Sequence, residues 1–321
     1  MVTGTRTAFI TGITGQDGGY LAEQLLAAGS TVHGLVRSAA EVGPTEAAYP
    51  GVTLHIADLT DTVAVTRLLD EIEPDEIYNL AGISSVARSW QEPVATGEVS
   101  GLAAAGVLQA AWELTDRLGR RVAVVQASSA EIFGNPATAP QDEDTAIAPV
   151  TPYGAAKAYA HHMARVYRGR GLHASTVILY NHESPRRPPA FVTRKITQGA
   201  AMIARGEQDE LALGNLDARR DWGWAPDYVD AMVRAARHDR PGDFVVATGV
   251  AHSVREFVAA AFRAAGVDDW AAHVRVDPAF VRPVDAVELT GDPSRARAEL
   301  GWAPTVGFDE IVARMVRADL R

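Results

Sequence analysis

Thr7–Thr11 (TAFIT) runs directly into Gly12-Ile13-Thr14-Gly15-Gln16-Asp17-Gly18, and a helical pattern over Tyr20–Ala28 follows at once. A buried strand, a glycine turn and a helix in that order constrain the chain strongly. Glycines three apart let backbone amides and a helix N-terminus approach a pyrophosphate, as in the first unit of a doubly wound parallel sheet. The alternation continues, with strands expected at Thr31–Arg37, Val52–Ala57, Glu76–Leu80, Val122–Ala127 and Leu172–Leu179. Helices are expected at Asp61–Ile72 and Gly97–Leu118, the second stopped by Gly119. Thr151 reads as an N-cap with Pro152 at the first helical position. The fold class is therefore α/β: a Rossmann doubly wound sheet with a smaller C-terminal substrate-binding domain. Proline and arginine cluster at Ser184–Pro189, which places the expected boundary between residues 1–185 and 186–321, with segments interleaving. Further helices are expected near Phe191–Arg205, Asp227–His238, Ser253–Ala265 and Phe308–Leu320.

Composition removes several classes. Cysteine is absent, so disulfides, thiol nucleophiles and thiolate metal sites are excluded. The net charge of -10 repels a nucleic-acid backbone. No apolar run has the length of a membrane span, and Met1–Arg6 has no apolar leader core. A cytoplasmic protein without membrane or nucleic-acid partners is expected. Lysine occurs only at Lys157 and Lys195, so arginine supplies 28 of the 30 basic residues (30 − 2). Where arginine serves almost everywhere, those two positions point to a need for an ammonium.

Two constellations carry chemistry. Tyr153-Gly154-Ala155-Ala156-Lys157 puts a phenol and an ammonium on one helix face, where the ammonium is expected to favour phenolate and make a base. Ser129 can hydrogen-bond the oxygen that the base deprotonates, and Glu131 offers a carboxyl for a further proton transfer. At strand ends, Asp58 with Leu59, and Leu80-Ala81-Gly82 with Ser84, line the expected ligand crevice. Arg37 ends the second strand where NAD-binding chains place an acid, so a 2′-phosphate and NADP are expected. Arg186, Arg187, Arg194, Lys195, Arg219, Arg220 and Arg282 form a basic set suited to a diphosphate. Asn181-His182-Glu183-Ser184 follows the sixth strand. His182 and Glu183 have no third ligand at metal spacing, and no metal is expected.

These stretches, with Phe191-Val192-Thr193-Arg194-Lys195, Gly214-Asn215-Leu216-Asp217, Arg220-Asp221-Trp222-Gly223 and His252–Phe257, resemble the GDP-mannose 4,6-dehydratases, a branch of the extended short-chain dehydrogenases. The resemblance implies tightly held NADP, a GDP-sugar substrate and a homo-oligomer, at least a homodimer. It implies that Tyr153 deprotonates the sugar 4-hydroxyl as hydride leaves C4. Glu131 then removes the C5 proton and helps expel the 6-hydroxyl, and hydride returns to C6. By position, His182 and Arg187 match cofactor contacts, joining Gly12–Gly18, Arg37, Asp58, Leu59, Leu80, Ala81, Gly82, Ser84, Tyr153 and Lys157. Asn181, Lys195, Asn215, Arg220 and Arg282 match substrate contacts, with Ser84, Ser129 and Glu131.

The chain departs from the family at Ile83-Ser84-Ser85-Val86, where Gln-Ser-His-Val is common. It also has Ala95 in place of a tyrosine, and a shortened segment around Arg37–Pro50. These changes bear on tetramer formation, cofactor grip and sugar identity. A related epimerase or 4-keto reductase remains the nearest alternative, and a non-catalytic NADP-binding protein a more distant one.

Overall fold

The computed structural model describes residues 5–280 and 288–321. Arg282 lies outside them. The strands, in chain order, are β1 Thr7–Thr11, β2 Thr31–Val36, β3 Val52–Ile56, β4 Glu76–Asn79, β5 Ala123–Ala127, β6 His173–Leu179, β7 Asn181–Glu183, β8 Leu211–Leu213, β9 Arg219–Trp224, β10 Asp243–Val246, β11 Ala251–Ser253, β12 Val274–Val276 and β13 Glu288–Leu289. Seven of them form the main sheet in the order β3-β2-β1-β4-β5-β6-β10. Every neighbouring pair is parallel. The order reverses between β1 and β4, and an open parallel sheet parts there to leave a crevice at its carboxyl edge.

Both faces of this sheet are covered, so its strands are apolar on both sides. Phe9, Ile77 and Val124 pack with Val107, Leu108 and Leu114 on one face. Ile10, Tyr78 and Val125 pack with Leu21, Leu25, Tyr228 and Met232 on the other. The seventh strand, β10, comes from beyond residue 185, as does the Ala225–Arg237 helix that packs on β5, β6 and the Gln16–Ala27 helix. The remaining strands build a small lobe. There β9 is flanked by β11 and β13 and also pairs with β7, while β8 pairs with β12. Ile196, Trp222, Phe257, Phe262 and Met315 fill its core.

Several helices differ from the sequence reading: the first begins at Gln16 rather than Tyr20, and Ala39–Ala48, Val86–Gln91 and Ser294–Leu300 are additional. The expected Gly97–Leu118 helix begins earlier, at Pro93, and contains a π turn over Glu98–Leu102 before continuing as Ala103–Leu118. Such single turns inside a helix are frequent at functional sites. Here buried Ser100 accepts a hydrogen bond from the Ile83 amide at 2.9 Å, tethering the loop after β4. The expected cap at Thr151 is present, and Asp61 and Ser253 also cap their helices, the last in a reciprocal capping box with Glu256.

The late helix is locked to the first half by a buried charge. Glu76 is fully buried, and Arg237 donates to it from Nε at 2.8 Å while the Tyr78 hydroxyl donates at 2.8 Å. Arg237→Met should lose about 2–3 kcal/mol by urea unfolding, because the carboxylate keeps its desolvation penalty without its chief partner. Arg237→Met with Glu76→Gln should recover most of that loss.

Candidate active site

The glycine turn is built for close approach. Gly12 has φ +76°, and a Cβ there would sit 2.8 Å from the Ala81 amide. A Cβ on Gly18 would sit 2.2 Å from the Gly12 carbonyl oxygen. Gly15 caps the Gln16–Ala27 helix with no side chain bonded to the first-turn amides. This leaves a cradle of backbone donors at a helix N-terminus, which suits a dinucleotide pyrophosphate.

Across the crevice, Ser129 caps a short turn over Ala130–Phe133 and accepts from the Glu131 amide at 3.2 Å. The Pro152–Gly169 helix passes close to this turn only because Gly154 has no side chain. A Cβ there would lie 2.5 Å from the Glu131 carbonyl oxygen. Tyr153 is thereby brought against Ser129 and Glu131. Burial pushes its phenol up to about 12, the Ser129 hydroxyl pulls the other way, and the Glu131 charge adds to the rise.

Lys157 shares the helix of Tyr153 and reaches the end of β5. Its ammonium is buried and donates to the Ala127 carbonyl at 3.0 Å, standing 5.9 Å from the centre of the Tyr153 ring. Burial pulls it down to about 8, opposed by the charge of Asp17. The i,i+4 spacing places both residues on one face, but the lysine reaches past the phenol to the strand end. Burial thus disfavours the charged form of both groups, raising the phenol and lowering the lysine.

Asp17 and His182 join the glycine turn to the small lobe. His182 Nε2 lies 2.8 Å from Asp17 Oδ2, and Nδ1 lies 2.7 Å from the Tyr180 carbonyl oxygen. Both ring nitrogens face acceptors, an arrangement that only an imidazolium satisfies. Burial lowers the imidazole, but the charge and hydrogen bond of Asp17 outweigh it and raise the group above its ordinary value. Burial likewise raises Asp17, and His182 reverses that and lowers it. The His182 ring stacks on Tyr228 with centroids 4.6 Å apart. Gln16 donates to the His182 carbonyl at 3.1 Å and accepts from the Ser184 hydroxyl at 2.8 Å. Glu183 lies 3.3 Å from Arg187 and accepts from the Thr193 hydroxyl at 2.7 Å.

The remaining expected residues fall into groups. Arg37 is exposed and pairs with Glu41 at 3.0 Å, near Asp58, whose carboxylate accepts from the Thr60 amide and hydroxyl. The Leu59 side chain lies in the core, so only its backbone can meet a ligand. Ser84 lies exposed in the loop after β4, beside Leu80, Ala81 and Gly82. Lys195 donates to the Ala212 carbonyl at 2.7 Å and lies 3.6 Å from the Phe280 ring centre, with Asn215 in the adjoining exposed turn. Asn181 and Arg220 lie on the paired strands β7 and β9, Arg220 buried. Three of the basic set are taken up elsewhere: Arg186 by Glu23, Arg194 by Asp319, and Arg219 by Glu256 and Glu288.

A family model described as GDP-mannose 4,6 dehydratase matches residues 9–315. The chain belongs to the GDP-mannose 4,6-dehydratase family. It is 44% identical to GDP-mannose 4,6 dehydratase 2 of Arabidopsis thaliana, covering 98% of this chain and 87% of the relative. It is 42% identical to the Homo sapiens GDP-mannose 4,6 dehydratase, covering 98% and 91%. Among solved structures, the UDP-glucose 4-epimerase of Thermus thermophilus in complex with NAD superimposes with TM-score 0.83 at 28% identity, covering 98% of each chain.

Within this family member, sequence reasoning missed Thr11, Asn79, Gln126, Ser100 and Tyr228. All are buried. For the first three the available signal was a polar residue at or next to the end of an apolar strand: TAFIT, EIYN and AVVQA.

The Asp17–His182 pair makes stability pH-dependent with a definite sign. His182, raised above 6.5, contributes fully below that value and loses its contribution as pH climbs through the folded value. Asp17, lowered below 3.8, contributes above that value and fails only as pH falls through its folded value. The melting-temperature deficit of Asp17→Asn should therefore be several degrees larger at pH 5.5 than at pH 9. Equal deficits at both would show that the imidazole is not charged.

Proposed function

We propose that this chain is an NADP-dependent GDP-mannose 4,6-dehydratase, a hydro-lyase yielding GDP-4-keto-6-deoxymannose. The observation that carries the reading is the buried Tyr153 phenol, which is influenced by the Ser129 hydroxyl and the Glu131 carboxylate and feels the charge of Asp17 in the glycine turn. Backbone groups of Gly12–Gly18 would hold the pyrophosphate, with Asp58, Leu59, Leu80, Ala81, Gly82, His182 and Arg187 around the cofactor. Arg37 sits at the end of β2, suited to a 2′-phosphate once it turns from Glu41. The bound dinucleotide supplies a hydride acceptor and, after proton transfer, a donor.

Tyr153 takes the proton of the 4-hydroxyl, and the Ser129 hydroxyl orients that oxygen. To accept that proton the phenol must itself be ionised, which burial and the Glu131 charge oppose and the Ser129 hydrogen bond and the Arg187 charge favour. Glu131 then removes the proton at C5, made acidic by the 4-keto group, and returns a proton to the departing 6-hydroxyl. Hydride returned at C6, with the proton taken by Tyr153 returned to C5, would complete the loss of one water with no net oxidation. Asn181, Lys195, Asn215 and Arg220 line the small-lobe side for the GDP-sugar, Lys195 and Arg220 supplying positive charge. Val94, Leu102, Tyr159 and Val166 expose apolar side chains along the 93–118 and 152–169 helices, which suits a second copy of this chain as partner.

Incubated with GDP-mannose, the purified protein should release product lighter by one water in mass spectrometry, without consuming free NADPH. Unchanged mass with altered configuration would instead establish an epimerase, and stoichiometric NADPH consumption a reductase. Glu131→Gln should lower dehydration by about 100-fold or more while reduced cofactor accumulates on the enzyme. Full turnover in that variant would remove Glu131 from the mechanism.

A further inference from the structure

Thr11, Asn79 and Gln126 are register partners across three adjacent strands, Thr11 opposite Asn79 and Asn79 opposite Gln126. Two residues upstream on the same face, the matching row is Phe9, Ile77 and Val124, wholly apolar. Polarity thus begins at the last row, where the sheet meets the candidate active site. All three side chains are at most 1% exposed, so each polar atom needs a partner.

The partners form one directed chain. The Leu80 and Ala81 amides donate to Thr11 Oγ1, both at 3.1 Å. The Thr11 hydroxyl donates to Asn79 Oδ1 at 2.7 Å, and Asn79 Nδ2 donates to Gln126 Oε1 at 2.7 Å. Gln126 Nε2 donates to the Ala127 carbonyl at 3.0 Å, the same oxygen that accepts from Lys157 Nζ at 3.0 Å. Two backbone donors at one end and a carbonyl at the other leave each amide a single orientation. Ala127 ends β5, and its carbonyl would otherwise be free to tilt.

We propose that Gln126, braced by Asn79 and Thr11, is a positioning residue that fixes the Ala127 carbonyl and through it the direction of the Lys157 ammonium. The inference rests on the reading that Tyr153 and Lys157 serve the proton transfer. It also ties the lysine to the glycine turn, because Ala81 lies against Gly12. A valine at position 126 would pack as Val124 does and avoid burying an amide. The amide earns its place by holding a carbonyl that an active-site lysine uses.

Gln126→Met tests this. Lys157 and Lys195 are the only lysines, so isotope-labelled lysine gives two resonances, and Lys157 can be titrated by NMR without substrate. The charged groups facing it are the Asp17 carboxylate and, when ionised, the Tyr153 phenol. With its acceptor misaligned, burial acts with less opposition, so the Lys157 midpoint should fall by about half a unit or more. Dehydration kcat should drop about tenfold or more, KM should stay within about twofold, and the alkaline limb of the rate profile should move to lower pH. Asn79→Leu with Gln126→Met removes the orphaned Asn79 amide and should behave alike if the single variant folds poorly. A lower melting temperature with an unchanged Lys157 titration would assign Gln126 a structural role only and overturn the proposal. If the wild-type protein does not dehydrate GDP-mannose, the NMR titration still decides the point.

Discussion

Backbone amides that leave a parallel ladder must find acceptors, and Thr11 supplies one where β1 and β4 diverge. Its hydroxyl oxygen takes the Leu80 and Ala81 amides, so the loop after β4 folds over the end of β1 rather than away from it. That closeness leaves no room for a side chain at Gly12. The crevice, the glycine turn and the Leu80–Gly82 loop are thus one rigid piece. Ser100 braces the same loop from the π turn, and that turn packs on the helix bearing Tyr153 and Lys157.

The small lobe attaches to this piece through charge rather than apolar area alone. Asp17 lies in the first turn of the first helix, His182 lies on β7, and Tyr228 on the Ala225–Arg237 helix stacks under the imidazole. Gln16, one residue before Asp17, and Ser184, two residues after His182, repeat the connection. A ligand spanning the crevice therefore meets two walls whose spacing is already set, which limits the ordering that binding requires.

Much of this was legible from the chain. Six apolar runs read as the six strands β1 to β6 within a residue or two at each end, because burial on both faces makes them continuous. The glycine turn and the Tyr153–Lys157 spacing were equally plain. The seventh strand was not, since Asp243–Val246 is short and lies within the half assigned to substrate. Strands β7, β9 and β11 carry His182, Arg220 and His252, and their polar residues mask any alternation. Asn79 and Gln126 were visible as residues but not as a pair, because sequence spacing does not reveal that β4 and β5 are in register. The same limit applies to Lys157. Helical spacing placed it beside Tyr153, but only the end of β5 shows where its ammonium goes.

The two lysines repay comparison in a chain that otherwise relies on arginine. Each donates to a backbone carbonyl, Ala127 for Lys157 and Ala212 for Lys195, and each has an aromatic ring nearby, Tyr153 and Phe280. A guanidinium presents a planar fork suited to carboxylates, which is how Arg117, Arg186 and Arg237 are used. A compact ammonium can give one hydrogen to a carbonyl and keep two directed elsewhere. It can also change charge near neutral pH when buried, as Lys157 does at about 8, which a guanidinium cannot. Substituting arginine at position 157 would therefore lose both the fit to the Ala127 carbonyl and the titration, even though the charge sign is preserved.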